Sequence, residues 1–156
     1  MKNTVKYKCL LVKEQGFRYE QKIDGAETAW QVLKKIELAS NAEETAVILC
    51  LDGKGNIVGI HEVSRGELGS TVISPREIFK RAVLNNAFAI ILAHNHPSGD
   101  PTPSMEDIKT TKRLLEAGEL MGIPLIDHII VVDGGYNSLR MQGLLETERK
   151  EGEEND

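Results

Sequence analysis

The sequence has 156 residues, 40% of them hydrophobic and 28% charged, enough for one domain with a real core and too few for two comfortable ones. A formal net charge of −5 argues against tight non-specific binding to nucleic acid, which draws on many Lys and Arg neutralising phosphates, while leaving room for a local basic patch. Aromatics make up only 4%, so the core is expected to consist of Ile, Leu, Val and Ala, and no apolar run approaches membrane-spanning length.

Residues 5–12 read as a first strand. Asp24 then opens a helix, with Glu27 as its capping-box partner and Ala26, Ala29, Trp30, Leu33 and Ile36 on one face. Thr45–Leu51 and Ile57–Val63 read as strands joined by Asp52-Gly53-Lys54-Gly55, a hairpin signal because glycine supplies the positive φ such turns need. Ser74-Pro75-Arg76-Glu77 carries an N-cap, a first-turn proline and a capping-box Glu, and Ile78, Phe79, Ala82 and Val83 give the helix a buried face. Ala87–Ala93 is an unbroken apolar run, short enough for a strand buried on both faces. A stiff loop, His94-Asn95-His96-Pro97-Ser98-Gly99-Asp100-Pro101-Thr102-Pro103, follows it. The next helix runs from about Ser104 to Glu119, and Leu125–Val132 pairs with Tyr136–Leu139 around Asp133-Gly134-Gly135.

Helices interleaved with hairpin-joined strands predict an α/β fold, a mixed, mainly antiparallel sheet with helices packed on its faces. One domain is expected over 1–145, followed by an acidic tail over 146–156 expected to be disordered. Cys9 and Cys50 lie far apart with no C-x-x-C spacing, which suits small buried hydrophobes in a reducing compartment. With no signal-type apolar segment at the N-terminus, the expected location is the cytoplasm, with no membrane partner.

The chemistry concentrates in His94-x-His96 and Asp107. Residues two apart on a strand project to the same side, so both imidazoles can converge at the strand end. The loop then brings the first turn of the next helix back, where Asp107 can supply a third ligand. Two nitrogens and one carboxylate, with the fourth position left to water, make the composition of a catalytic zinc site. Ser104 and Asp107 also fit the N-cap and N3 positions of a helix, a role compatible with metal binding. Neither H-E-x-x-H nor the H-x-E with P-C-x-x-C combination of zinc deaminases occurs.

The run from His94 to Ser104-x-x-Asp107 resembles the signature of RadC-like proteins, a family of the JAB1/MPN/JAMM metalloprotease superfamily. The resemblance extends from about Ala42 to Leu144, through Val63-Ser64-Arg65-Gly66, Ser74-Pro75-Arg76-Glu77 and the segment Gly122–His128. It implies a JAB1/MPN, cytidine-deaminase-like sandwich. It also implies Zn2+ on His94, His96 and Asp107, and hydrolysis of a peptide or isopeptide bond in a peptide or protein substrate. An upstream Glu is implied as general base: Glu44, which precedes a hydrophobic strand as the family's Glu does, is preferred over Glu62, with Glu43 as a register alternative. The resemblance gives Ser104 an oxyanion-stabilising role, for which the helix cap is an equal alternative. RadC-like proteins often carry an N-terminal helix-hairpin-helix region, and the first forty residues here do not read as one, so a short form is expected.

Competing readings are a DNA repair or recombination accessory protein, which the charge does not support, and a metal-free scaffold, which the retained ligands disfavour. His128 is read as a structural, hydrogen-bonded strand histidine, and His61 receives no role. Ser98, Asp100 and Thr102 are expected to shape the loop through short polar side chains bonding nearby backbone. Lys109, Lys112 and Arg113 are read as solvated charges. Oligomeric state is not legible in the sequence.

Overall fold

Strands that read as unbroken apolar runs should lie in the middle of a sheet covered on both faces, and two do. In the computed structural model, which describes residues 22–66 and 73–146 together with 8, 11–14, 16, 18 and 19, every position of β1 (Thr45–Leu51) and β3 (Ala89–Asn95) is buried. With β2 (Ile57–Arg65), β4 (Leu125–Val132) and β5 (Gly135–Ser138) they form one sheet in the order β2-β1-β3-β4-β5. β1 is antiparallel to both β2 and β3, and β4 to β5, whereas β3 and β4 run parallel. A parallel pair needs a crossover, and the helix α3 (Met105–Met121) provides it. The sheet is therefore mixed and mainly antiparallel, with helices on its faces, as the interleaved pattern predicts.

Side chains alternate across the strands and build two cores. Ala46, Ile48, Cys50, Ile90 and Leu92 pack with Ile78, Phe79 and Ala82 of α2 (Pro75–Leu84) and Leu114 of α3. Val47, Leu49, Leu51, Ile91 and Ala93 pack against Ala29, Val32 and Leu33 of α1 (Ala26–Lys35) and Leu38 of a short 3-10 turn, Leu38–Ser40. Burial pushes the Cys50 thiol up to about 12, which leaves it an inert core group. Cys9 lies outside the described residues.

Two helix starts differ from the sequence reading. The N-cap of α1 is Gly25, and Thr28 rather than Glu27 reaches back, its Oγ1 accepting from the Asp24 and Gly25 amides at 3.1 and 3.2 Å. A threonine hydroxyl one residue on satisfies the same orphan donors. Glu77 of α2 does not close a capping box on Ser74; it pairs instead with Lys80 and Arg81, at 2.8 and 2.9 Å, along its own helix. The β1–β2 loop forms with Gly55 at φ +81 and Asp52 Oδ1 accepting from the Lys54 and Asn56 amides. Most of the strand expected over 5–12 lies outside the described residues, and Lys8, Leu11 and Val12 within it are not in a strand. The expected tail beyond Glu146 is also outside them. Among the described residues, no helix is long and apolar enough to cross a membrane.

A candidate metal centre at the end of the central strand

The end of β3 sends three consecutive residues to distinct tasks. His94 pairs with Ala46 of β1 and Ile130 of β4 through the backbone, and its fully buried ring turns to the α3 side. Asn95 turns to the opposite face. His96 lies just past the strand, where its amide still donates to Val131 O at 3.0 Å, and its ring returns to the His94 side.

Asn95 fixes the segment that carries Glu44. Its Oδ1 accepts from the buried Thr45 amide at 2.7 Å, and its Nδ2 donates to Asn41 O and Glu43 O at 3.0 and 3.2 Å. From the other side, Gly66 N–H donates to Glu44 O at 2.9 Å. Glu44 is thereby held at the mouth of β1, next to the strand that bears His94.

Asp107 is placed by the cap of α3. Ser104 Oγ accepts from Asp107 N at 3.1 Å, and Asp107 Oδ2 accepts from Ser104 N at 2.8 Å. The box satisfies two orphan amides and at the same time aims the carboxylate. The intervening loop is shaped by its own polar atoms: Asp100 N–H donates to Ser98 Oγ, Thr102 N–H to Asp100 Oδ1, and Gly99 takes φ +82. Asp100 O in turn receives a hydrogen bond from His96 Nδ1 at 2.7 Å, which orients that ring.

Ligand atoms of Glu44, His94, His96 and Asp107 all lie within 4.8 Å of one another. His94 Nε2 is 3.3 Å from Asp107 Oδ1, and His96 Nε2 is 3.4 Å from Asp107 Oδ2. The two Nε2 atoms are 2.9 Å apart, and Glu44 Oε1 stands 3.5 and 3.7 Å from them. Tetrahedral zinc with bonds of about 2.0–2.1 Å separates neighbouring ligand atoms by roughly 3.3 Å, so the three ligand side chains already stand near that spacing. Two imidazoles and a carboxylate are also a donor set that zinc accepts. Burial pushes the Asp107 carboxyl up, but its neighbours His94 and Ser104 outweigh it and hold the group well below the usual carboxylate range. Asp107 is thus a carboxylate, the form a metal requires.

The remaining sequence candidates lie elsewhere. Glu62 pairs with Arg65 at 2.8 Å on the exposed side of β2, and the Arg65 guanidinium keeps its carboxyl below the ordinary value. The Glu43 carbonyl is taken up by Asn95, and Glu43 is not among the clustered residues. His61 contacts Asn85, the C-cap of α2, and is not among the clustered residues. Lys109 forms an exposed pair with Glu106 at 2.9 Å.

Residues 23–144 match the family model described as RadC-like JAB domain. The chain belongs to this family. Among relatives of this RadC-like JAB domain, a UPF0758 protein of Pelobacter propionicus is 51% identical over 109 residues, covering 70% of this chain and 48% of the relative. A UPF0758 protein of Alkaliphilus oremlandii is 46% identical over 124 residues, 80% of this chain and 53% of the relative. One from Moorella thermoacetica is 54% identical over 95 residues, 61% of this chain and 42% of the relative. The chain therefore spans about half the length of the curated relatives it matches.

Three residues of this RadC-like JAB domain escape a ligand-centred reading: Asn95, Thr111 and His128. His94 Nδ1 is 2.8 Å from His128 Nε2, His128 Nδ1 is 2.6 Å from Thr111 Oγ1, and Thr111 Oγ1 donates to Asp107 O at 2.7 Å. His128 is the hydrogen-bonded strand histidine expected of it, and its partner is one of the candidate ligands. Burial holds its pKa well below the ordinary histidine value, so it is neutral. The available signal was the polar pair Asp127-His128 inside an apolar strand, since buried polar groups need partners.

Proposed function

We propose that this RadC-like JAB domain binds one zinc ion through His94, His96 and Asp107 and hydrolyses peptide or isopeptide bonds. The observation that carries the reading is the convergence of these side chains with Glu44 within 4.8 Å at one strand end. When bound, zinc supplies Lewis acidity and brings the ionisation of water within reach of neutral pH. Glu44 is held by its backbone, so Oε1 is positioned to orient a water and take its proton, which it returns to the leaving amine. Ser104 Oγ accepts from Asp107 N, which leaves its own proton available to donate to a carbonyl oxygen gaining negative charge. Asn95 and the α3 cap keep base and ligands in register while the substrate changes.

Metal analysis of the purified chain should give about one zinc per molecule, with none in a His94→Ala, His96→Ala double variant. Glu44→Gln should keep the zinc and lose turnover of a peptide or isopeptide library, whereas Glu62→Gln should keep both. A wild-type chain that takes up no zinc, or a Glu44→Gln variant as active as wild type, would overturn the assignment.

A further inference from the structure

We propose that Thr111 and His128 are positioning residues that hold His94 in the one tautomer able to bind a metal through Nε2. The proposal rests on the zinc reading above and assigns work to two buried side chains that reading does not use. A carbonyl oxygen can only accept a hydrogen bond. Thr111 Oγ1 lies 2.7 Å from Asp107 O, so its single hydrogen points there. The same hydroxyl is 2.6 Å from His128 Nδ1, and with its hydrogen already committed it must accept, so Nδ1 carries the proton. A neutral imidazole has one N–H, which makes His128 Nε2 an acceptor. His94 Nδ1, 2.8 Å away, is therefore the donor, and the lone pair of His94 is on Nε2.

That lone pair faces the cluster, 3.3 Å from Asp107 Oδ1 and 2.9 Å from His96 Nε2. His96 reaches the same state by a separate route: its Nδ1 donates to Asp100 O at 2.7 Å, leaving its Nε2 bare as well. The direction of the longer chain is set at its far end, by a backbone oxygen that has no hydrogen to offer. Beginning on the Asp107 carbonyl and ending with the bare His94 Nε2 facing the Asp107 carboxylate, the chain links two ligands from different elements. Thr111, His128 and His94 are all buried, so water does not compete for any of its bonds. Without the Thr111 hydroxyl, His128 can take the opposite tautomer, which drives the His94 proton onto Nε2 and blocks the ligand atom.

The test uses the full chain and zinc alone, with affinity measured by competition against a chelator. Thr111→Val keeps the shape and removes the hydroxyl; it should weaken zinc binding about 10–100-fold, as loss of a partner behind a ligating histidine typically does. Thr111→Ser should return to within about threefold of wild type, and His128→Phe should show at least the loss of Thr111→Val. Long-range 1H–15N correlations should place the His94 proton on Nδ1 in the wild type and shift it towards Nε2 in Thr111→Val. Equal zinc affinity in wild type, Thr111→Val and His128→Phe would overturn the proposal, as would a His94 proton on Nε2 in the wild type. If the wild type binds no zinc, the zinc reading fails, and the His94 tautomer in that same sample still decides for or against the chain of donors. The wild-type spectrum also stands where a variant does not fold.

Discussion

Replacing Asn95 with alanine separates the base-bearing segment from the ligands. The side chain makes three hydrogen bonds, to Thr45 N, Asn41 O and Glu43 O, and none to the clustered rings, which lie on the other face of the sheet. Thr45 is 1% exposed, so its amide is left buried without a partner, at a cost of about 1–3 kcal/mol. The two carbonyls are only partly buried and can turn to water, which limits each loss to about 0.5 kcal/mol. The expected destabilisation is about 2–4 kcal/mol, a fall of roughly 30- to 1,000-fold in the folded-to-unfolded ratio. Urea unfolding of the metal-free chain measures it as a lower midpoint at unchanged slope. Zinc stoichiometry measured below that transition should stay at the wild-type value, because no ligand is touched. A destabilisation under about 0.5 kcal/mol, or a loss of zinc in the still-folded variant, would refute the reasoning.

Ser104→Ala removes the oxygen that accepts from Asp107 N, and should cost about 1 kcal/mol by thermal unfolding while weakening zinc binding, since the same cap aims Asp107. Gly118→Ala would set a Cβ 2.7 Å from Ile123 O and 3.2 Å from Leu125 N, both backbone atoms, so α3 must shift; a destabilisation of about 1–3 kcal/mol in urea is expected, and a neutral result would show the helix end to be loose. Asp127 is raised above the ordinary value by burial, against the bonds it receives from Ser138, Arg140 and His128. A carboxyl raised on folding contributes stability that is full below its unfolded pKa of about 3.9 and declines as pH rises through the folded value. The stability advantage of wild type over Asp127→Asn should therefore shrink as pH rises above about 4, and an advantage that grows with pH would contradict that assignment.

Local chemistry made most elements legible, and partners across the sheet decided what it could not. The β3 strand was expected to stop at Ala93 because His94 and Asn95 look like loop residues. Backbone pairing ignores that polarity, and Ala46 and Val131 hold both residues in the strand. The caps of α3 were readable because serine, aspartate and their spacing act within one turn, whereas the start of α1 slid by one residue because Thr28 serves as well as Glu27. Sequence favoured Glu44, which precedes a strand, over Glu62, near the end of one, but both sit at strand ends and neither could be placed beside the histidines. The register of β1 against β3 separates them, by setting Ala46 beside His94 and Glu44 next to the rings. His128 was hidden for the same reason: only the parallel crossover, which aligns Leu92 with His128, brings it under His94.

The position of His94 in β3, flanked by bonded strands on both sides, has a consequence for how the centre is filled. Its buried, doubly paired surroundings are expected to exchange slowly, and the geometry for the ion is built by the sheet and the α3 cap, not by the ion. A chelator should therefore empty the site without melting the protein, and metal returned later should find the same arrangement. That is the behaviour of a refillable socket, the reverse of a small zinc module that collapses when its metal leaves.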